Sequence, residues 1–229
     1  KDELIKADPK SAELIRPILR GRDIKRYNYE FADIYLIATF PSRHYNIDDY
    51  PAVRDYLLAF GKERLEQTGE TYIVNGEQIK ARKKTNNKWF ETQDSISYWE
   101  DFYKQKIVWK RVGSILRFSY DESACFALDS TCFATGKFIP FLVSVFNSPM
   151  GHYLLKDAPK TGTGDLLISV QAVEPALIPI PDNQNRLIDM ATDLVHNYSK
   201  EKELIFNKLI YRLYNLMPEE IDFIENRED

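Results

Sequence analysis

R-P-I-L-R-G-R-D-I-K-R-Y, from Arg16 to Tyr27, is the most informative stretch of this chain. Five basic residues alternate there with Ile18, Leu19 and Ile24, and Gly21 lies in the middle. Such a segment can bury one side and offer the other to an anion, of which phosphate is a common one. The candidate anion contacts are Arg20, Arg22, Lys25 and Arg26. The competing interpretation is that these side chains form salt bridges within the protein.

Length and composition indicate a globular protein. The 229 residues suffice for one sizeable core or two small domains, and 44% hydrophobic with 29% charged residues is ordinary for a soluble protein. No apolar run approaches the roughly 20 residues that span a bilayer. Because the chain starts without Met or a signal-like segment, we expect a piece of a longer cytoplasmic protein with no membrane contact. Cys125 and Cys132 fit neither a metal spacing nor a disulfide framework, and we expect small buried hydrophobes.

Charge is unevenly distributed along the chain. The net charge of −4 taken alone argues against a nucleic-acid binder. From Lys80 to Arg117, however, ten basic residues stand against four acidic ones, a net of +6. From Asp182 to Asp229, eleven acidic residues stand against six basic ones, a net of −5. This distribution favours one polyanion-facing side, and an ordinary surface with uneven patches is the alternative.

The pattern of elements predicts an α+β fold. It predicts a β-rich body with packed helices over residues 1–181 and a helical region over 182–229 that packs on the body or on a partner domain. Asn75-Gly76 between two strand-like runs predicts a hairpin, and the apolar run Phe138 to Asn147 predicts a buried helix. Further strands are expected at 33–40, 107–109, 115–118, 125–131 and 166–170.

Helices are predicted within this body and in the region after it. One begins near Pro51, with Gly69 as its end. Residues 183–216 contain neither Gly nor Pro, which predicts two helices with a break near His196 to Ser199, or one long helix. Pro218 is expected to open a last short helix.

A set of fragments follows one another along the chain in a characteristic order. They are Arg16 to Tyr27, Tyr50-Pro51 through Glu66, Lys88-Trp89-Phe90-Glu91, Lys106 to Trp109, Leu128 to Gly136, Ile178-Pro179-Ile180-Pro181, Leu209 to Leu216 and Glu219 to Ile221. Taken together they resemble the TaqI-like C-terminal specificity domain of adenine-specific DNA methyltransferases and of fused restriction–modification enzymes. The Ile-Pro-Ile-Pro element is also similar to type I specificity subunits. Asn215 departs from the usual Gly, although Asn tolerates the same left-handed conformation, and the Glu70–Asn87 hairpin is longer than expected.

The resemblance implies a target recognition domain. Such a domain holds double-stranded DNA while a separate N-terminal methyltransferase domain of the same chain, with S-adenosylmethionine, flips out an adenine. Magnesium would be needed where a nuclease is fused. The resemblance implies no cofactor, metal or catalytic residue in this part of the chain.

The loop Arg82 to Lys88 is the sharpest candidate for DNA contact. Phosphate contacts need Lys and Arg spread over a surface, and base reading needs Arg, Lys, Asn or Gln on a loop or strand. Asn86 or Asn87 would pair with adenine, and Arg82 with guanine. Glycines around Thr163 would let the backbone approach phosphate. The remaining candidates are Lys83, Lys84, Lys88, Lys110, Arg111, Lys160 and Thr161. The alternative is that the loop is only a solvent-exposed hairpin tip with no ligand.

Other functions fit the sequence less well. An interaction or assembly module, docking through the helical tail without direct DNA contact, is the main alternative. A stand-alone enzyme has little support, because Asn147-Ser148-Pro149-Met150 lacks the second Pro and the aromatic residue of the methyltransferase motif it superficially resembles. Aromatic residues such as Trp89, Trp99, Trp109, Phe102 and Tyr103 are expected to pack in the core rather than stack on a base.

Overall fold

The computed structural model describes residues 1–181 and 184–226, which form two compact units. The first unit contains Lys1–Pro17 and Ile34–Trp99, and the second contains Ile18–Asp33 and the chain from Glu100 onward. The fold is α+β and ends in a series of helices, which confirms the predicted class. The predicted domain boundary after residue 181 is a different division of the chain and stays a prediction.

The first unit combines short helices with two separate strand pairs. Its elements are α1 (Asp2–Ala7), the start of β1 (Ile15–Leu19), β2 (Tyr35–Ile37), α2 (Pro51–Leu58), α3 (Lys62–Leu65), β3 (Thr71–Val74), β4 (Glu77–Lys80) and 3-10 helices at Pro9–Glu13, Pro41–Arg43 and Ile47–Asp49. β1 pairs antiparallel with β2, and Ile15 lies opposite Ile37. The core of this unit is formed by Leu14, Ile47, Tyr50, Val53 and Phe90.

β3 and β4 form the predicted hairpin. Thr71 lies opposite Lys80 and Val74 opposite Glu77. Asn75 and Gly76 both adopt positive φ angles, 50° and 85°, which is the backbone of a type I′ turn. Its twist matches that of the two strands, so these two residues set the register.

The second unit is built around antiparallel strands and most of the helices. Its elements are the end of β1, β5 (Lys106–Lys110), β6 (Val112–Gly113), β7 (Phe118–Asp121), β8 (Phe126–Ala127), β9 (Thr131–Thr135), α4 (Ile139–Phe146), α5 (Pro149–Leu154), β10 (Leu166–Leu167), α6 (Val170–Val173), α7 (Gln184–His196), α8 (Lys200–Leu213), α9 (Pro218–Glu225) and a 3-10 helix at Gly21–Asp23; a further one, Trp99–Tyr103, begins at the end of the first unit. β5 is the central strand of a sheet ordered β7-β5-β9. The end of β1 pairs parallel with β8, and β6 pairs antiparallel with β10.

The core of the second unit centres on α4. Seven of its eight residues are buried, as the apolar run predicts, and it packs against α7 and the β5–β7 pair. α8 contributes Phe206 and Ile210 to the same core, and α9 contributes Ile224. The helical tail therefore packs on the second unit rather than standing apart.

The helix boundaries of the tail follow local signals. α7 ends at His196 and α8 starts at Lys200, where the Ser199 hydroxyl accepts a hydrogen bond from the Lys202 amide. The predicted break is confirmed, as is the start of α9 at Pro218. Asn215 has a φ of 53°, so it takes the left-handed conformation after α8 that glycine would otherwise supply.

Several predicted boundaries are wrong. The helix from Pro51 stops at Leu58 rather than Gly69, because Gly61 has a φ of 88° and separates α2 from α3. The strand expected at 33–40 covers only Tyr35–Ile37. The strand expected at 115–118 begins at Phe118, that at 125–131 is divided into β8 and the start of β9, and that at 166–170 ends at Leu167. A strand extends only as far as a neighbour pairs with it, and β1, for example, pairs only with Tyr35, Leu36 and Ile37 of the range 33–40.

Core packing is confirmed for three of the five aromatic residues predicted to be buried; Trp89 is half-buried, and Tyr103, at 44% exposed, does not lie in the core. Trp99 in the first unit is 7% exposed, and Trp109 and Phe102 in the second are 2% and 3% exposed. The Trp109 indole nitrogen also donates to the Ile168 carbonyl oxygen at 2.8 Å. These three rings are therefore held away from any ligand.

Candidate nucleic-acid interface

Arg20 holds a turn in the second unit. Its Nε and Nη2 donate to the two carboxylate oxygens of Asp23 at 3.0 and 2.7 Å, and its own amide donates to Asp23 as well. These hydrogen bonds lower the pKa of Asp23, which is only 5% exposed. The structure thus gives Arg20 a folding role, which is the competing interpretation of this segment.

The other basic residues of that segment differ in their surroundings. Lys25 forms an ion pair with Glu30 at 3.2 Å. Arg26 forms an ion pair with Glu203 and donates to the Asn147 carbonyl oxygen at 2.6 Å. Arg22 is exposed and has no ion pair among the described residues. Of the four predicted contacts, only Arg22 therefore lies on the surface without an ion pair in the part of the chain that the structure describes.

Glu203 neutralises Arg26 from within the helical tail. Its carboxylate is 1% exposed and also accepts from the Tyr27 hydroxyl at 2.9 Å and from Lys200 at 2.8 Å. Burial by itself would raise the pKa of Glu203, but the hydrogen bond from Lys200, the charge of Arg26 and the Tyr27 hydroxyl outweigh it and hold that pKa below its usual value. Arg26, itself 39% exposed, is thus paired with a buried carboxylate of the same unit.

The Arg82 guanidinium is used inside the first unit. Nε donates to the Leu65 carbonyl oxygen at 2.8 Å, Nη1 donates to that of Glu91 at 3.0 Å, and Nη2 donates to that of Trp89. Burial lowers the pKa of Arg82, and the nearby Glu66 charge opposes this. A fork that already spans three carbonyls cannot at the same time pair with the O6 and N7 of guanine.

The rest of the loop is fixed by side-chain amides. Asn87 donates to the carbonyl oxygens of Thr92 and Gln93 at 3.0 and 2.9 Å. Gln67, which is 3% exposed, donates to the carbonyl oxygens of Lys88 and Glu91. Gln67 was not predicted from the sequence, because nothing in its local pattern marks it as a support for a loop some twenty residues away.

The remaining side chains of the loop lie outward. Lys83, Lys84, Asn86 and Lys88 are exposed, and none of the three lysines forms an ion pair within residues 1–181 and 184–226. Lys88 Nζ lies 5.6 Å from the Phe90 ring centroid. We call these four residues the cationic loop. Since the backbone beneath them is held by buried polar groups, their positions are set without any ligand.

A second group of basic residues lies on the second unit. Lys110 ends the central strand β5 and Arg111 follows it, and both are exposed. Lys110 lies across Gly21, where a Cβ would come within 2.9 Å of Lys110 Cγ and 3.1 Å of the Ser130 carbonyl oxygen. Gly21 is therefore needed for this close approach, and the exposed Arg22 follows Gly21 directly in the chain.

The glycine-rich loop before β10 is folded back on itself. The Thr161 amide donates to the Asp165 carbonyl oxygen at 2.8 Å, and the two threonine hydroxyls, of Thr161 and Thr163, lie 2.8 Å apart. The Thr163 hydroxyl also contacts the Asp165 carboxylate at 3.2 Å. Lys160 is exposed and lines a cleft of about 290 Å³ together with His152, Lys156 and Gly164. The hydroxyls thus shape the turn, and the cation of this loop is Lys160.

The two cysteines lie in the second unit. Cys125 is buried and Cys132 half-buried, and both are reduced. Burial raises the pKa of Cys125 to about 11, so its thiol stays protonated and unreactive at neutral pH.

The described residues contain neither a metal-binding cluster nor a membrane-spanning helix. Residues 1–181 and 184–226 contain no group of three or more His, Cys, Asp or Glu placed to hold a metal ion. In the same ranges no helix is long and apolar enough to span a membrane.

Comparison with known proteins supplies a family. The profile of the TaqI-like C-terminal specificity domain matches residues 16–167, about two thirds of the chain. A comparison with curated proteins finds no match. The matched range includes the Arg16–Tyr27 segment, the cationic loop and the basic residues Lys110 and Arg111. The chain therefore belongs to the TaqI-like C-terminal specificity domain family, a family of DNA-recognition domains of restriction–modification enzymes.

Proposed function

We propose that this chain is the target recognition domain of an adenine-specific DNA methyltransferase, with or without a fused endonuclease. In this role it binds double-stranded DNA and sets which sequence is methylated or cut. The catalytic groups and the S-adenosylmethionine site belong to an N-terminal methyltransferase domain of the same protein, which acts in the cytoplasm. Magnesium enters only where a nuclease is attached.

The cationic loop carries this proposal. Lys83, Lys84 and Lys88 stand outward on a backbone that Arg82 and Asn87 hold by five hydrogen bonds to carbonyl oxygens. Lysines without acidic partners on a fixed backbone suit the sugar–phosphate chain, since each contact releases condensed counterions. Asn86 is the exposed amide of the loop and is placed to read a base edge.

This assignment divides the predicted loop residues into two roles. Arg82 and Asn87, first predicted to read guanine and adenine, instead position the loop. Lys83, Lys84, Asn86 and Lys88 make the contacts. On the second unit, the proposed phosphate contacts are Arg22, Lys110, Arg111 and Lys160, whereas Arg20, Lys25 and Arg26 serve the fold.

Charge reversal tests the proposal. The double variant Lys83→Glu, Lys84→Glu should weaken binding to duplexes of any sequence, and the slope of log affinity against log salt should fall by about 1.8 if both contact phosphate. Binding is measured by fluorescence anisotropy across a salt series. The matched control is Lys137→Glu, Lys208→Glu, which reverses two exposed lysines outside the proposed contacts. Equal salt slopes for the two double variants would refute the loop assignment.

An assembly module without DNA contact is the second candidate. Met217 and Phe223 are 62% and 63% exposed beside α9, which suits a protein partner. This function predicts self-association or partner binding that disappears when these two residues become serine, together with no salt-dependent affinity for DNA. Light scattering measures the size of the protein assembly, and the anisotropy series measures its affinity for DNA; the two measurements together distinguish the two functions.

A further inference from the structure

The hairpin of β3 and β4 separates its side chains into two different faces. Residues directly opposite each other in an antiparallel pair lie on the same face, and neighbours along a strand alternate. Thr71 lies opposite Lys80, and Ile73 lies opposite Gln78. These four residues share one face, and all four are exposed, with Ile73 at 76%.

The opposite face of the hairpin is the one that packs against the rest of the first unit. Tyr72 and Ile79 lie opposite each other there and are half-buried, and the Tyr72 hydroxyl lies 3.1 Å from the Thr68 hydroxyl. The acidic residues of the segment also take this face, because Glu77 lies opposite Val74 and alternation places Glu70 with Tyr72. The exposed face therefore contains a cation and no acid.

The hairpin is joined directly to the cationic loop. Its ladder continues past β4, where the Ala81 amide donates to the Glu70 carbonyl oxygen and the Gly69 amide to that of Arg82, both at 2.9 Å. Arg82 is the residue whose guanidinium holds three carbonyls. Lys83 and Lys84 follow Arg82 directly in the chain, so the cationic loop begins where the ribbon ends.

The size and chemistry of this face match one ligand. A two-stranded ribbon enters the major groove of B-DNA, which is roughly 12 Å wide, and strands of four residues extend roughly 13 Å. A glutamine side chain can pair with N6 and N7 of adenine, and an aliphatic side chain contacts the thymine methyl. Gln78 and Ile73 place an amide and an aliphatic side chain next to each other. An A·T pair likewise places the adenine N6 and N7 next to the thymine methyl in the major groove.

We infer that the hairpin enters the major groove of duplex DNA and reads an A·T pair through Gln78 and Ile73, with Lys80 and Thr71 toward the flanking backbone. This inference rests on the proposed function and deepens it. A lone exposed isoleucine is ordinary. The segregation of the four side chains away from both glutamates, beside three lysines without acidic partners among the described residues, favours DNA over a protein partner.

Selection from a pool of randomised duplexes by the 229-residue chain tests the inference. The unchanged chain should select a sequence with at least one required A·T pair. Gln78→Ala should lose discrimination at one such position by about 5- to 150-fold, and Gln78→Arg should come to prefer G·C there, since arginine pairs with O6 and N7 of guanine. Gln105→Ala, an exposed glutamine in the second unit, is the matched control and should select the unchanged sequence.

Methyl recognition supplies an independent readout for Ile73. Replacing thymine by deoxyuridine at the selected position removes only the methyl group and should weaken binding of the unchanged chain by about 4-fold. Ile73→Ser should bind both duplexes equally, whereas Ile34→Ser, another exposed isoleucine of the first unit, should keep the difference.

The outcomes separate the two proposals. If the unchanged chain shows no salt-dependent binding to duplexes, the proposed function and this inference both fail. If the chain selects a sequence and the Lys83, Lys84 reversal weakens binding, yet Gln78→Arg and Ile73→Ser leave base preference unchanged, the function stands and the hairpin is not the base reader.

Discussion

Replacing Arg82 by alanine distinguishes a side chain that holds the loop from one that reads a base. In the structure the guanidinium joins three carbonyl oxygens, those of Leu65, Trp89 and Glu91. These acceptors come from segments 17, 7 and 9 residues away, so the side chain ties the loop to α3 and to the chain that follows it. A reading role predicts altered base preference and intact stability, whereas a holding role predicts a loosened loop.

The size of the effect follows from these bonds. A hydrogen bond from a charged donor contributes about 1.5–3 kcal/mol. Two effects reduce the loss in the variant: water can reach part of the loop once the side chain is truncated, and the desolvation cost of the guanidinium charge disappears with it. We therefore expect Arg82→Ala to destabilise the loop by about 3 kcal/mol, which raises its opening equilibrium by about 100-fold. Arg82→Lys should lose most of the same stability, because a single ammonium cannot span three separated carbonyls.

Amide hydrogen exchange over residues 82–91 measures the opening directly, and trypsin cleavage after Lys83, Lys84 and Lys88 reports the same event. Lys83→Ala is the control, since this exposed neighbour should change stability by no more than about 0.5 kcal/mol. If Arg82→Ala exchanges as slowly as Lys83→Ala while the selected DNA sequence loses a guanine, the holding role is wrong and the guanine-reading role is restored.

Two predictions concern buried charges of the second unit. Lys106 and Asp121 form an ion pair with both side chains fully buried, and Asp121 also accepts a hydrogen bond from the Tyr29 hydroxyl at 2.8 Å. Asp121→Asn should lower the free energy of unfolding, measured in urea, by about 3–5 kcal/mol, because it leaves the lysine charge uncompensated. A loss of less than about 1 kcal/mol would show that the lysine charge is solvated. The pKa of Glu203 lies below its usual value of 4.5, so the unfolded chain binds more protons and stability should fall as the pH drops below about 4.5 through the folded pKa. Glu203→Gln should flatten this part of the urea-midpoint curve against pH while lowering stability at neutral pH, and an unchanged acid slope would contradict the assigned network.

Much of the local structure was predictable because its causes lie within a few residues. Asn75 and Gly76 set the hairpin turn through their own backbone preferences, and the apolar run of α4 has only a core to occupy. Ser199 marks the start of α8 because its hydroxyl accepts a hydrogen bond from a free backbone amide of the first turn. Pro218 marks the start of α9 because it has no backbone N–H that would need a partner there. The cationic character of residues 83–88 is likewise a property of composition alone.

What only the tertiary structure decided is which polar groups were left for a ligand. Arg26 meets Glu203, 177 positions away, and Arg82 meets carbonyls that no local pattern identifies, so two of the most promising cations are already engaged by partners within the protein. The parallel pairing of Ile18 with Phe126 is equally invisible in either segment. Charge and periodicity are properties of the sequence itself, whereas the desolvation and pairing that turn a charged side chain into a support or a contact depend on neighbours that folding brings from distant positions.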